Sequence, residues 1–529
     1  MFRSAWCHNV SKIRTPFENS KNTYPDTGKH SFVFRRKKQL TIPAPDGTED
    51  ITELRTEDSI EAFWIKPGIS GIEIRRGENS APQYLLREPK LSQFEEELLS
   101  VLIKTVREVI AKKKDAAYTA EELQKTAADI LAGMKMPLEN STVQKLRYYL
   151  ETTIFGWGKL ELLRHDKDIE DISCVGADYP VYLYHRRYRD METNIRFGSA
   201  EELNHAVTLF AQKAGKQLSL AQPIVDGTLP DGSRIQMTYG SAVSSRGSSF
   251  TIRKFRDTPY SVIDLLKNRT FTVLEMVYLW FAVEYNHSIL IIGGTASGKT
   301  TTLNALSQFI PPLAKIVTIE DTRELMLCHG NWHPTVVPPS GDGKAITLFN
   351  LVSAAMRQRP EYLIVGEVRG EETSAMFQAI NTGHTSLSTF HAGNFRNAVN
   401  RLQSSPLNIP RAMIESLDIV LSQKRILKDG AQIRRCSEIV EITGSTGEQE
   451  LQTNTVFSYR ETDDCAVVCR DAKIYADILS QTGMGADALA AEIERRISLL
   501  TRMVQEDITD FRRVSEMIDA YMTERTGEP

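Results

Sequence analysis

Ser288-Ile-Leu-Ile-Ile-Gly-Gly-Thr-Ala-Ser-Gly-Lys-Thr300 is the stretch on which the reading of the chain turns. Its apolar run, Ile289 to Ile292, has the length of a fully buried strand. The next eight residues, Gly293, Gly294, Thr295, Ala296, Ser297, Gly298, Lys299 and Thr300, fit G-x-x-x-x-G-K-[ST]. From Thr301 to Leu306 the chain reads as a helix, which Pro311-Pro312 stops. A glycine turn before an ordinary helix is the bland alternative. Strand, glycine loop and helix in this order favour a phosphate site, because glycines let backbone N–H groups wrap a polyphosphate and the helix N-terminus adds positive potential. The loop through Thr301 is therefore the expected nucleotide contact, with Lys299 reaching the β- and γ-phosphates and the Thr300 hydroxyl on Mg²⁺. ATP and Mg²⁺ are the expected ligands.

Working outward, 529 residues suggest about three domains. A chain 41% hydrophobic and 25% charged is ordinary for a globular protein, and a net charge of −4 offers no global argument for nucleic acid or anionic membrane as partner. Six scattered cysteines contain no C-x-x-C, and free thiols in a reducing cytoplasm are expected. The most apolar window, Val273 to Ile292, is interrupted by Glu275, Glu284 and His287 and does not read as a membrane span. No secretory signal core is recognised, so the expected location is cytoplasmic.

Residues 1–90 read as an N-terminal extension, polar at first with a basic cluster Arg35-Arg36-Lys37-Lys38, then strand-like from Ala62 to Leu86. Residues 91–140 read as helical, with Phe94, Leu98, Val101, Leu102 and Val109 expected on one apolar face. An α+β domain is expected over 141–256, a linker over 257–264, an α/β core over 265–480 and a helical tail over 481–529. In that tail Leu489, Ile493, Ile497 and Leu500 make one stripe, and Phe511, Val514, Ile518 and Tyr521 another. The 141–256 region carries an arginine series, Arg234, Arg246, Arg253 and Arg256. Arginines in strands and turns are usually solvated, but in an oligomeric ATPase they become candidates for acting on a neighbour's nucleotide.

Three more stretches follow the loop. Ile316-Val-Thr-Ile-Glu-Asp321 is a β-rich run that ends in Glu320, where ligands gather in open α/β sheets. Tyr362-Leu-Ile-Val-Gly-Glu367 is an apolar strand that delivers Glu367, a carboxylate suited to Mg²⁺ or to the attacking water. Thr382-Gly-His-Thr-Ser-Leu-Ser-Thr-Phe-His391 places His384 and His391 around a hydroxyl-rich strand able to sense a γ-phosphate.

In this order the four stretches resemble the Walker A, Asp box, Walker B and His box of the type II/type IV secretion ATPase superfamily, with its GspE, PilB and PilT members. The likeness spans roughly 145–525. The two-helix ending, with no tetracysteine insertion, resembles the archaeal pilus and archaellum branch (FlaI-like). The resemblance implies a RecA-like P-loop ATPase core, preceded by an α+β domain and followed by a helical tail. It further implies a homo-hexamer in which Glu367 and Glu320 are catalytic, His384 and His391 respond to nucleotide, and Arg234, Arg246 or Arg253 acts on a neighbouring subunit. The implied partner is a polytopic membrane platform protein of a pilus or secretion machine, with peripheral membrane association through it and no direct nucleic-acid contact. A conjugation-type or DNA-translocating ATPase and a nucleotide-gated regulator are the alternatives. A GTPase is disfavoured by the lack of an N-K-x-D motif.

Overall fold

The computed structural model describes residues 54–56, 58–77, 81–112, 119–134, 138–255, 258–338, 346–428, 431–446 and 450–526. The basic cluster at 35–38 and Arg256 lie outside these residues. Two compact units divide near residues 256–257.

The first unit is built on a nine-stranded sheet in the order β1-β2-β3-β6-β5-β4-β9-β8-β7. Its strands are β1 (Ser59–Lys66), β2 (Ser70–Arg76), β3 (Pro82–Arg87), β4 (Ile169–Cys174), β5 (Pro180–His185), β6 (Arg189–Arg196), β7 (Ile224–Thr228), β8 (Arg234–Thr238) and β9 (Ser249–Arg253). The first three strands join the others through a parallel pairing, Gln83 with Glu192 and Tyr84 with Thr193. Asn194 clamps that seam, its side chain exchanging two hydrogen bonds with the backbone of Leu86. The helix Ala200–Lys213 starts at Ser199, whose hydroxyl accepts from Glu202 N–H, and buries Leu203, Val207, Phe210 and Ala211 against the sheet. That spacing of four, three and one is the apolar stripe of one helical face.

Helices Gln93–Lys112, Ala120–Gly133 and Asn140–Ile154 share a separate small core. In the first of them Leu98, Leu102 and Val106 point inward, whereas Phe94 and Val101 are half exposed. The expected face is therefore corrected. Val101 is turned about 100° from Leu102, and Phe94 stands in the first turn of the helix, before the buried stripe begins.

The second unit has the sheet order β12-β11-β13-β14-β10-β15-β16-β17-β18. It comprises β10 (Ile289–Gly293), β11 (Ile316–Glu320), β12 (Trp332–Val336), β13 (Tyr362–Val368), β14 (Thr385–His391), β15 (Ile419–Lys428), β16 (Ala431–Thr446), β17 (Glu450–Arg460) and β18 (Cys465–Val468). From β12 to β15 all pairings are parallel, and the rest are antiparallel. Parallel strands need crossover helices on both faces, which explains why β10, β11 and β13 are apolar runs rather than alternating ones. This is the expected RecA-like α/β core.

The helix Val273–Glu284 is apolar all round and lies inside, with every residue from Met276 to Val283 buried. Onto it pack the helices Ala486–Gln505 and Phe511–Thr526, through Leu489, Ile493, Leu500 and Met503 and through Val514, Ile518 and Met522. Arg496, wholly buried, sits 4.6 Å from the Trp280 ring centre and 3.8 Å from that of Phe281, and bridges to Glu284 and Glu492. Among the described residues no helix is long and apolar enough to cross a membrane.

Candidate nucleotide site

Strand β10 runs between β14 and β15, and its last residue, Gly293, is level with His391 on one side and Gln423 on the other. The loop that follows needs glycine twice for different reasons. A Cβ on Gly293 would lie 2.6 Å from the Gln423 carbonyl oxygen, so sterics exclude any side chain. Gly298 has φ +97, in the left-handed region that favours glycine. Gly294, Thr295 and Ala296 are exposed, Ser297 is buried, and Thr300 and Thr301 lie half-buried in the first turn of the helix Lys299–Leu306. Lys299, 8% exposed, donates from Nζ to the carbonyls of Gly293 at 3.1 Å and Gly294 at 2.9 Å. Ser297 Oγ also donates to Gly294 O, at 2.9 Å. The ammonium is thus folded over the loop, within reach of an anion laid on it.

Glu320 ends β11 and is 3% exposed. Its Oε1 accepts from the N–H groups of Glu324 at 2.8 Å and Leu325 at 2.9 Å, while Oε2 is buried without a hydrogen-bond partner among the described residues. Burial pushes this carboxyl up to about 7, only partly offset by those two backbone donors. The neighbouring strand explains the glycine before Glu367. A Cβ on Gly366 would come within 3.2 Å of Glu320 Cγ, tighter than ordinary packing, so glycine suits the crowding between these strand ends. Thr389 Oγ1 on β14 fixes that point, donating to Gly366 O at 2.7 Å. Glu367, half-buried, follows beside it. The C-terminal ends of β11, β13, β14 and β10, four adjacent parallel strands, thus gather Glu320, Glu367, His391 and the glycine loop.

His384 does not join them. It precedes β14, whose seven residues rise about 3.3 Å each, roughly 20 Å to His391. Its ring lies 3.3 Å from Ala379 O and 3.2 Å from Thr382 Oγ1, at the C-terminal end of the helix Glu372–Asn381. Of the two histidines expected to respond to nucleotide, the structure brings only His391 to the end of the sheet that carries the glycine loop.

The arginine series also divides. Arg234 and Arg253 are register partners at one end of the β8–β9 ladder. Arg246 lies in the turn at the other end, about four strand rises or roughly 13 Å away, with its guanidinium 4.5 Å from the Tyr179 ring centre. Arg253 also stands opposite Asp171 on β4.

Sequence reading missed three contributors. Glu372 accepts from the N–H groups of Arg369 and Gly370, both at 2.7 Å, and so shapes the turn after Glu367. Arg434 reaches the loop from β16, and Gln423 on β15 reaches Thr302 in the helix that the loop opens. Hydrogen-bonding residues on strands are common, and no local signal marks these.

Among the described residues one group of three, Asp166, Asp168 and His185, has ligand atoms close enough to hold a metal. The donor set does not fit one. His185 Nδ1 accepts from the N–H of Arg187, which leaves the proton on Nε2, the atom facing Asp166. Arg186 and Arg187 already pair with Asp168. The cluster is a satisfied buried network.

The raised Glu320 carboxyl has a consequence for stability. Its folded state holds a proton that the unfolded chain releases near pH 4.5, so between about pH 4.5 and 7 the folded state binds more protons. Stability from this group is therefore full below that range and lost as pH rises through 7. Raising the carboxyl from 4.5 to about 7 corresponds to roughly 3 kcal/mol. Glu320→Gln removes the titration, so its melting temperature relative to the unsubstituted protein is expected to be several degrees more favourable at pH 8.5 than at pH 5. Scanning calorimetry at the two pH values checks this, and equal differences would contradict it.

The family described as type II/IV secretion system protein matches residues 167–516. An uncharacterized protein of Methanocaldococcus jannaschii is 38% identical over 396 residues, 74% of this chain and 72% of its own length. The type IV secretion system protein PtlH of Bordetella pertussis is 32% identical over 269 residues, 44% of this chain and 79% of PtlH. Among solved structures, the Legionella pneumophila ATPase DotB aligns at 19% identity and a TM-score of 0.43, covering 69% of this chain and 95% of DotB. The match over 167–516 spans the glycine loop, both strand-end glutamates and His391, and the chain belongs to the type II/IV secretion system protein family.

Proposed function

We propose that this chain is a motor ATPase that hydrolyses Mg-ATP to drive assembly of pilus-like filaments or secretion through a membrane platform protein. The observation that carries the reading is the gathering of the glycine loop, Glu320, Glu367 and His391 at the ends of four adjacent strands. In it the loop N–H groups and Lys299 bind the phosphates, and Thr300 with Glu367 supplies the hydroxyl and carboxylate that suit Mg²⁺. Glu367 orients the attacking water. Glu320, a carboxyl near 7 with a free acceptor oxygen, is its partner and is matched to proton transfer at neutral pH. His391 reports the state of the γ-phosphate.

The working form is a cytoplasmic hexamer, peripheral at the membrane. Residues 141–256 act as an α+β domain linked through 257–264 to the ATPase core over 265–480, with 481–529 as the helical tail. Arg234 and Arg253, paired on β8 and β9, are the candidates that complete a neighbour's site. A second reading, a type IV secretion role in place of filament assembly, is favoured by the likeness to PtlH. Direct DNA contact is disfavoured by the net charge of −4.

Phosphate release from Mg-ATP, measured over a hundredfold range of protein concentration, tests this reading. A rate per chain that climbs at least tenfold as the oligomer forms is expected. A rate per chain that is constant over the range removes the shared site.

A further inference from the structure

Strand β10 stops at Gly293, but its neighbour β15 does not stop at the matching Gln423. It continues with β16 as an antiparallel ladder, Lys424 opposite Arg435, Arg425 opposite Arg434 and Ile426 opposite Ile433. This ladder overhangs the side of the glycine loop. From it Arg434 Nε donates to the carbonyl of Ala296, at 3.0 Å. Ala296 itself has φ +57, a conformation that a residue with a side chain adopts only when it is held. The arginine stem passes Gly298, where a Cβ would lie 3.3 Å from Arg434 Cδ. One side chain therefore touches the loop at both of its left-handed residues.

A second strut comes from below. Gln423, 1% exposed, donates from Nε2 to Thr302 Oγ1 at 2.9 Å, tying β15 to the helix that the loop opens.

The two arginines that adjoin in sequence differ in kind. Arg435 is buried and grips Asp464 with two hydrogen bonds, at 2.9 and 3.1 Å, a structural pairing. Arg434 is half-buried and Arg425 exposed, and among the described residues neither forms an ion pair. Like charges directly opposite on a ladder are unfavourable. Here that unbalanced pair stands on the ladder that contacts a loop built to receive an anion.

We propose that Arg434 is a positioning residue for nucleotide in its own chain, holding the glycine loop in its binding shape through the Ala296 carbonyl, with Arg425 adding positive potential beside it. The inference rests on the reading of Gly293–Thr300 as the nucleotide loop and adds a role for β16. A preformed loop makes binding tighter because the ordering cost falls before the ligand arrives. Its loss weakens ground state and transition state alike, so KM rises while kcat stays.

The test uses the full chain, Mg-ADP for equilibrium binding and Mg-ATP for turnover. Arg434→Met keeps a stem beside Gly298 and removes the donor and the charge, while Arg434→Lys keeps charge and a donor. For Arg434→Met, Kd for Mg-ADP and KM for Mg-ATP are expected to rise about tenfold, with kcat within about threefold. Arg434→Lys is expected to recover both constants to within about threefold of the unsubstituted protein. Kd and KM within twofold for Arg434→Met, whatever its melting temperature, would overturn the proposal. So would a loss confined to kcat. If the unsubstituted chain binds no Mg-ADP, or Lys299→Ala binds it as tightly, the reading of the loop itself fails, and that is seen without any Arg434 variant.

Discussion

Lys299→Ala is expected to weaken Mg-ATP binding by about a hundredfold or more and to bring phosphate release to background. The Nζ atom lies over the carbonyls of Gly293 and Gly294 in a nearly closed setting, 8% exposed. Hydrogen bonds to charged groups contribute about 1.5–3 kcal/mol each, and a polyphosphate offers this ammonium more than one oxygen. Two such contacts give roughly 3–6 kcal/mol, and every 1.4 kcal/mol is a factor of ten. The fold should survive. The substitution removes no large apolar group, and the helix Lys299–Leu306 gains a residue of higher helix propensity at its first position. Equilibrium binding and a thermal melt on the same preparation distinguish the lost ammonium from an unfolded core: affinity falls while the melting temperature stays within a few degrees.

Glu367→Gln is expected to do something different: turnover falls by about a hundred- to a thousandfold while Mg-ATP still binds. The side chain stands at the exit of β13 with its strand held by Thr389 and by the close approach of Gly366 to Glu320. An amide of the same shape keeps that geometry. It loses the negative charge that orients and polarises water, an effect of the size general base catalysis supplies, about 10²–10⁴.

Much of this site was legible before any coordinates. The loop is a contiguous motif whose backbone demands glycine at fixed places, and Glu320 and Glu367 follow apolar runs that read as parallel strands. The histidine pair shows the limit of spacing without geometry. Seven residues apart on a strand means opposite ends of the sheet, so only His391 is level with Gly293 while His384 lies at the end of a helix. The misplaced face of the helix Gln93–Lys112 has the same origin, since Val101 sits beside Leu102 in sequence but not in direction. The stripes Leu489–Leu500 and Val514–Ile518 were readable as stripes. Their target, the all-round apolar helix Val273–Glu284, was not, because a helix buried on every side has no periodic face. Arg434 gave no local sign at all. Its contact with Ala296 depends on the β15–β16 register and on where β10 ends, both of them long-range facts.

The most direct test is a single-turnover experiment with radiolabelled ATP and Mg²⁺, protein in excess, comparing the unsubstituted chain with Glu367→Gln and separating ATP from ADP after quenching. The account predicts bound label in both, converted to ADP by the unsubstituted chain and retained as ATP by Glu367→Gln. Equal conversion by the two proteins, or no conversion by the unsubstituted oligomer, would contradict it.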